Sequence, residues 1–342
     1  MRVLISVNIS LRLVGFLCLF LLVGNAVRSQ GDFTDDYVLK TWEHDEGAPY
    51  ISFTAMAQTP DGYLWLGSYE GLARFDGLRF TTGGNKQIPL GDMLVLALEV
   101  GPDGTLWVGT SEGIHSYDLD GNWRHLTEAN GLPRGTVYSM AIDSHGQIYA
   151  VVDLYVVRWT GEKFERVTPQ LPSRNIIRSE TRCFFDAQDR LWVNNSELLF
   201  YYEGGAWREV IRYSEEQEEL QVVGAAPARG GGIWWADKRN LHLWRDGSEV
   251  RKISRLVTHQ NDEVSMWEDA QGSLWVAGER RGLVIYHSDN SYLICGREEG
   301  LENSALLAVL PDNEGNVWLG SDGGGLTRVR PRSFLSYGYD KG

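Results

Sequence analysis

The sequence predicts an all-β fold, a seven-bladed β-propeller with four antiparallel strands per blade, preceded by a signal peptide. The first observation is a turn followed by an apolar strand with a central tryptophan, as in "PDGYLWLG" (60–67), which returns as "NEGNVWLG" (313–320). The second is its spacing, since successive aromatic anchors lie 42, 42, 43, 42, 41 and 43 residues apart. These anchors are Trp65, Trp107, Tyr149, Trp192, Trp234, Trp275 and Trp318.

The third observation is that each unit has the same internal order of four short strands. An apolar run such as "FTAMAQ" precedes the turn, the anchor strand follows it, and a third strand begins near a Gly-Leu pair, as in "GLARFDG" (71–77). A fourth strand starts on an aromatic residue in most units. The strands are rich in β-branched and aromatic residues and are separated by Gly and Asp turns. Because one such sheet cannot bury both its faces, seven are expected to pack face to face around an axis.

A single strand-like segment, "YVLKTW" (37–42), stands before the first complete unit. It resembles a fourth strand that lacks its first three partners, so we expect it to complete the last blade and close the ring. "FLSYGY" (334–339) competes for that position or leads outward into a following domain. The predicted propeller covers residues 37–337, with a short linker at 27–36 and a C-terminal tail at 338–342 that leads toward a downstream domain.

The N-terminal segment 1–26 has the features of a secretory signal peptide. Arg2 and Arg12 precede an apolar stretch, Leu13–Val23, and small and polar residues end the segment at Ala26. The 11 apolar residues are few beside the about 20 that a bilayer span needs. We expect cleavage after Ala26, with Ser29 as an alternative site and an uncleaved membrane anchor as the other possibility. The mature protein is predicted to be periplasmic or secreted.

Charge and cysteine content exclude some partners and bonds. The 342 residues carry a formal charge of −14 without a block of Lys and Arg, which argues against nucleic acid as a partner. The composition, 43% hydrophobic and 23% charged, is that of a folded globular protein. Cys183 and Cys295 lie beyond the signal peptide, and the predicted ring places them two blades apart, so we expect two free, buried thiols.

Several units resemble the two-component regulator propeller family. The resemblance is carried by "DGYLWLGSYEGLARFDG" (61–77), by "EEGLENSALLAVLPDNEGNVWLGSDGGGL" (298–326), and upstream by Trp42, Gly47 and Pro49. It is strong in units one, two, six and seven and weaker in units three to five, where Tyr149 replaces the tryptophan. The resemblance implies the extracytoplasmic sensor part of a bacterial signalling receptor, usually followed by a transmembrane helix and a histidine kinase, diguanylate cyclase or similar module. It also implies a polysaccharide-derived ligand.

The chain departs from that arrangement after its last unit. It stops at Gly342 and contains neither a phosphoacceptor histidine segment nor a nucleotide-binding Gly-rich pattern. We therefore expect no catalytic module in this chain and no enzyme activity from it. It is either the N-terminal sensor piece of a longer receptor, with a downstream transmembrane signalling module as partner, or a secreted propeller acting alone.

The predicted ring has two different faces. The turns before the anchors lie on one face, here called the hairpin face, and are short and repetitive. The loops from strand two to strand three, and from strand four to the next blade, lie on the other face, here called the variable face. These loops differ from blade to blade, as expected of a site grafted onto a repetitive scaffold. The candidate ligand-binding residues are Tyr50, Tyr69, Glu70, Arg134, Arg174, Asn195, Lys238, Arg239, His259, Arg280, Arg281, Asn303 and Asp322.

Arginine and lysine give this candidate set a basic bias although the whole chain is acidic. Arginine forks suit carboxylate or sulfate groups, and Tyr50 or Tyr69 could stack on a sugar ring. The set therefore predicts a small-molecule or oligosaccharide ligand.

No cofactor or metal is predicted. "DLDGN" (118–122) and "DNEGN" (312–316) sit at hairpin positions and lack the downstream glutamate of a calcium loop. Two other functions compete with sensing. One is a propeller enzyme, a lyase or glycosidase, with His44, Glu70, His259 and Asp322 as acid and base groups. The other is a propeller that docks proteins.

Overall fold

The computed structural model describes residues 28–29, 31–84, 87–167, 171, 181–212, 221–254, 263–278, 282–301, 303 and 305–332. These residues form seven antiparallel sheets, each with the four blade strands in order. The first strand of each blade contacts the first strand of the next, and that of blade seven contacts that of blade one. The ring is therefore closed, and the predicted seven-bladed β-propeller is confirmed.

The chain enters through β1 (Arg28–Ser29), helix α1 (Phe33–Asp36) and β2 (Tyr37–Trp42). Blade one consists of β3 (Ala55–Gln58), β4 (Leu64–Gly67), β5 (Leu72–Phe75) and β6 (Phe80–Thr82). Blade two consists of β7 (Val95–Val100), β8 (Leu106–Thr110), β9 (Gly113–Tyr117) and β10 (Trp123–Leu126), and a 3₁₀ turn (Glu128–Asn130) follows it. Blade three consists of β11 (Val137–Ile142), β12 (Ile148–Val152), β13 (Tyr155–Trp159) and β14 (Phe164–Arg166).

Blade four consists of β15 (Arg182–Phe185), β16 (Leu191–Asn194), β17 (Leu198–Glu203) and β18 (Ala206–Arg212). Blade five consists of β19 (Gly224–Pro227), β20 (Ile233–Ala236), β21 (Asn240–Arg245) and β22 (Ser248–Ser254). Blade six consists of β23 (Val264–Glu268), β24 (Leu274–Gly278), β25 (Gly282–Tyr286) and β26 (Ser291–Cys295). Blade seven consists of β27 (Leu306–Pro311), β28 (Val317–Ser321), β29 (Leu326–Pro331) and, as its fourth strand, β2. Among the described residues, neither α1 nor the 3₁₀ turn could span a bilayer.

The N-terminal strand β2 closes the ring. It pairs antiparallel with β29 along its whole length, from Tyr37 opposite Pro331 to Trp42 opposite Leu326. The Trp42 ring lies 5.5 Å from that of Trp318 and 5.1 Å from that of Phe75, centroid to centroid. One aromatic side chain from the N-terminal strand therefore joins blade seven to blade one.

The segment predicted as a linker, 27–36, has regular structure in its described part. β1 pairs in parallel with β26, which makes blade six a five-stranded sheet. Asp32 caps α1 by accepting a hydrogen bond from the Thr34 amide. The helix buries Phe33, whose ring stacks on Tyr37 at 4.8 Å. This differs from the sequence prediction because one apolar residue among polar ones gives no periodic signal, yet here it fills the core beside blade six.

The aromatic anchors are structural. Six are tryptophans, and all six are buried. In blades four, six and seven, the indole N–H donates to the carboxylate of an aspartate six residues earlier, in the preceding turn. In blade seven that residue is Asp312, whose other oxygen accepts from the backbone amides of Glu314 and Asn316. One carboxylate thus fixes both the turn and the ring of the anchor.

The cysteines also agree with the sequence prediction. Cys183 in blade four and Cys295 in blade six are free and buried. Burial raises the pKa of each thiol to about 12, so both remain protonated near neutral pH and behave as small core residues.

Blade five offers a test of the aspartate-indole bond. There Ala228 takes the aspartate position, and the indole nitrogen of Trp234 has no hydrogen-bond partner among the described residues. The backbone turn is otherwise the same, since the Ala228 amide donates to the Gly232 carbonyl at 3.1 Å. We expect Ala228→Asp to raise the melting temperature by about 2 °C, because it supplies an acceptor to a buried donor. Circular dichroism melting curves measure the change.

The matched control removes the same bond where it exists. Asp312→Ala deletes the acceptor of Trp318 and of two turn amides, so it should lower the free energy of unfolding by roughly 2 kcal/mol. If the two substitutions change the melting temperature in the same direction, or if neither changes it, the bond does not stabilise the blade.

Candidate functional site

The first strands of all seven blades surround a central cavity of about 530 Å³. Aliphatic side chains and methionines form much of its wall. The cavity extends from Tyr69 and Ser196 in loops of the variable face to Pro227 at the hairpin-face end of β19. A second cavity of about 460 Å³ shares Glu99, Cys183, Phe184 and Pro227 with it and includes turn residues of the hairpin face. The two cavities make the axis of the ring a candidate space for a ligand.

In blades one, two, four and five, one buried polar residue holds the loop between strands two and three. Ser68 accepts from the amides of Glu70 and Gly71 in blade one. In blade five, Asp237 accepts from the amides of Arg239 and Asn240. The equivalent residues of blades two and four are Thr110 and Asn195. Because these side chains close the loops internally, the residues that follow them are presented on the variable face in a fixed conformation.

Tyr50, Tyr69 and Glu70 lie together at the blade one side of the variable face. An added Cβ at Gly71, the residue after Glu70, would lie 2.8 Å from the Tyr50 hydroxyl. Burial, followed by the charges of Glu70 and Asp92, raises the pKa of Tyr50. Tyr69 is half exposed, at 49% of its surface, and lines the central cavity. This side of the face is aromatic and acidic.

Asn303 and Asp322 tie loops together where the ring closes. The Asp322 carboxylate accepts from the Ser52 hydroxyl at 2.7 Å, and its backbone carbonyl accepts from the Asn303 amide group at 2.7 Å. Ser52 in turn accepts from the Gly323 amide. Both predicted site residues therefore connect the loop of blade seven to the segments that enter blades seven and one.

The other predicted site residues are spread around the variable face. Arg134 is exposed in the segment before blade three. In blade five, Lys238 is half-buried and Arg239 is exposed. Asn195 is buried, and its side-chain oxygen accepts from the amides of Glu197 and Leu198. Asn195 therefore acts as a loop cap. Four predicted residues lie outside the described residues, namely Arg174, His259, Arg280 and Arg281.

Of the described predicted residues, Tyr69 alone lines the central cavity. The residues that sequence analysis missed are on the strands themselves or directly before one. Arg182 and Asn194 of blade four, Glu263 just before β23, and Glu99 of β7 all line the cavity. Their signal is a departure from the repeat, since most residues at equivalent positions are small or apolar. For example, the residue opposite the anchor is Ala57 in blade one but Glu99 in blade two.

Glu99 has an unusual environment for a carboxyl group. It lies opposite Trp107 in the sheet and lines both axial cavities. Burial raises its pKa from the ordinary 4.5 to about 7. At neutral pH the group is therefore divided between a neutral donor and a charged acceptor, beside the aliphatic side chains and methionines of the wall.

One group of three potential metal ligands occurs among the described residues, on the hairpin face. The ligand atoms of Asp143, His145 and Asp189 lie within 4.8 Å of one another. Both carboxylates already accept hydrogen bonds from turn groups. Asp143 accepts from the amides of His145 and Gln147, and Asp189 from the amide and hydroxyl of Ser144. These hydrogen bonds hold the turns of blades three and four together, which explains why the three side chains lie close to one another.

Comparison with known proteins locates the fold among known propellers. No family model matches the sequence, and a search of curated proteins finds no match. Among solved structures, the chain is similar to the extracellular domain of the hybrid two-component system BT3049 from B. thetaiotaomicron (TM-score 0.71, 17% identity, 87% of this chain and 43% of that one). The extracellular domain of BT4673 from B. thetaiotaomicron is similar too (TM-score 0.70, 17% identity, 88% and 40%). A streptogramin B lyase gives TM-score 0.71 at 12% identity, with 89% of this chain and 100% of the lyase covered.

These likenesses confirm the fold. The extracellular propellers of hybrid two-component systems, which the sequence motifs resemble, are among the structural neighbours, and the chain spans less than half the length of those two structures. The lyase has the same architecture over its full length. The same scaffold thus occurs in receptors and in an enzyme, so the fold alone does not determine the function.

The raised pKa of Glu99 predicts a pH dependence of stability. Between its ordinary pKa of 4.5 and the folded value of about 7, the folded protein holds a proton that the unfolded chain has released. Stability should therefore fall as pH rises through this interval, by up to about 3 kcal/mol. Glu99→Gln should remove that part of the slope. Melting curves between pH 4 and 8 measure it, with Glu314→Gln on an exposed turn as control; an unchanged slope in Glu99→Gln would contradict the assignment.

Proposed function

We propose that this chain is an extracytoplasmic ligand-sensing propeller that binds a polysaccharide-derived or other small ligand at the variable-face mouth of the central cavity. The observation that carries the proposal is the mouth itself, where the half-exposed Tyr69 shares the cavity wall with Arg182, Asn194 and Ser196. An aromatic ring, a guanidinium and two short polar side chains around one mouth suit a ligand ring with hydroxyl and carboxylate groups.

The mouth is also suited to sensing because its parts are fixed in advance. The loops that carry Tyr69 and Ser196 are closed by Ser68 and Asn195, so little ordering is needed when a ligand binds. The similarity to extracellular domains of hybrid two-component systems supports a role as the recognition part of a receptor. In that role, a membrane-tethered signalling module is the partner that would carry the signal onward.

An exported propeller enzyme is the second candidate, because the chain matches the full length of a lyase with the same architecture. The acid and base groups predicted for it do not converge in the described residues. His44 lies on an exposed turn, and Asp322 is bonded to Ser52 where the ring closes. Glu70 is a neighbour of Tyr50 in blade one. A protein-docking propeller is the third candidate, and its sign would be binding of a protein rather than of a small ligand.

The proposal is tested by a thermal-shift screen of the purified protein against neutral and acidic oligosaccharides. A ligand present at about 100 times its Kd adds about 2.7 kcal/mol of stability, which gives a measurable rise in melting temperature. Tyr69→Ala should weaken the binding of any such ligand roughly fivefold, since it removes an aromatic contact of about 1 kcal/mol.

The matched control is Leu78→Ala, which removes an exposed apolar side chain from a hairpin-face turn of the same blade. It should leave binding unchanged. Absence of any ligand across the panel contradicts the proposal and favours protein docking. If chromatography shows that a bound sugar is converted into product, the result would favour the enzyme function.

A further inference from the structure

One cross-strand pair recurs at the same repeat position in all seven blades. It joins the residue ten before the anchor, on strand one, to the residue two after the anchor, on strand two. In six blades both members are small or apolar, apart from two serines. The pairs are Ala55 with Gly67, Ala97 with Gly109, Ser139 with Val151, Gly224 with Ala236, Ser265 with Ala277, and Ala308 with Gly320.

Packing between blades explains why this position is small. A Cβ added at Gly67 would lie 2.6 Å from a Val95 methyl group, and one added at Gly109 would lie 2.7 Å from a Val137 methyl group. In both cases the neighbour is the first strand of the next blade. A larger side chain at this position therefore conflicts with the common way of packing one blade on the next.

Blade four breaks this rule at both members of the pair. Arg182 on β15 stands opposite Asn194 on β16, and both residues line the central cavity. Asn194 is only 3% exposed, yet its side-chain oxygen has no hydrogen-bond partner among the described residues. A buried acceptor left unpaired destabilises a protein, so such a group calls for an explanation.

The loop that follows does not need Asn194. Its neighbour Asn195 is equally buried and accepts from the amides of Glu197 and Leu198, at 2.9 and 2.8 Å. The two adjacent asparagines thus have different roles. Asn195 closes the loop, whereas the side-chain oxygen of Asn194 is held in the cavity wall without a partner among the described residues.

We infer that Arg182 and Asn194 form a subsite for an organic acid, with a carboxylate against the Arg182 guanidinium and a neighbouring hydroxyl or N–H group that donates to the Asn194 oxygen. The planar guanidinium fork matches a carboxylate, and an unpaired carbonyl oxygen requires a donor. The carboxylate of Glu263 lines the same cavity and disfavours a ligand of higher negative charge. The inference rests on the proposed function, because it specifies the ligand class of the same mouth.

The first experiment compares the two adjacent asparagines without any ligand. Asn194→Leu removes an unpaired buried acceptor, so the melting temperature of the ligand-free protein should stay the same or rise. Asn195→Leu removes the acceptor of two loop amides, so the melting temperature should fall by several degrees. A fall in Asn194→Leu as large as in Asn195→Leu would overturn the inference, because Asn194 would then be a structural residue.

The second experiment measures binding by isothermal titration calorimetry with three probes. D-glucuronate has a carboxylate and hydroxyls, D-glucose lacks the carboxylate, and tetrahydropyran-2-carboxylate lacks the hydroxyls. The native chain should bind D-glucuronate about tenfold more tightly than either of the others. Asn194→Leu should remove the advantage over tetrahydropyran-2-carboxylate, and Arg182→Gln should remove the advantage over D-glucose.

The outcomes separate this inference from the proposed function. Equal binding of all three probes, no binding of D-glucuronate, or a D-glucuronate affinity unchanged in both variants would overturn the subsite. An oligosaccharide that binds through Tyr69 and is unaffected by Asn194→Leu would overturn the subsite while supporting the proposed function. Failure of every probe and every oligosaccharide would overturn both.

Discussion

The packing of one aromatic anchor per blade, bonded back in four blades to the turn before it, is the constraint on which the rest of the ring depends. Where the turn residue six positions earlier is an aspartate, as in blades four, six and seven, its carboxylate holds both the turn amides and the indole N–H. In blade one a threonine hydroxyl, that of Thr59, takes the indole bond. In these blades the turn and the core are therefore fixed by the same few atoms.

That constraint also decides where the chain is free to vary. The hairpin face carries the turns that hold the anchors, so its residues are committed to the fold. Several loops of the variable face are closed by one cap, such as Ser68 or Asp237, and the residues beyond the cap are released from a structural role. The residues of the cavity wall are partly free to vary, because their strands must pack on the next blade while some of them line the axis. A polar residue kept there works against packing.

Much of the fold could be predicted from the sequence, because the anchor, the turn and the Gly-Leu pair repeat at a fixed distance. The repeat also predicts that Tyr37–Trp42 is the fourth strand of the last blade, and the structure shows this pairing. The site was harder. Loop position suggested Asn195, but the cap of a tight loop points inward, and the neighbouring Asn194 is the one that lines the cavity. A choice between adjacent residues depends on which side chain faces the axis, and loop position alone does not give that direction.

A better signal was present in the repeat itself. In a ring of seven similar blades, each equivalent position is seen seven times, so the packing requirement at that position can be read from the other blades. The pairs Ala55 with Gly67 and Ala97 with Gly109 consist of small residues because the next blade packs against them. Arg182 and Asn194 cannot be explained by that contact, since the same geometry is met elsewhere by alanine and glycine. In such a scaffold, residues that break the repeat at a packed position, rather than polar residues in loops, are the stronger indication of a ligand.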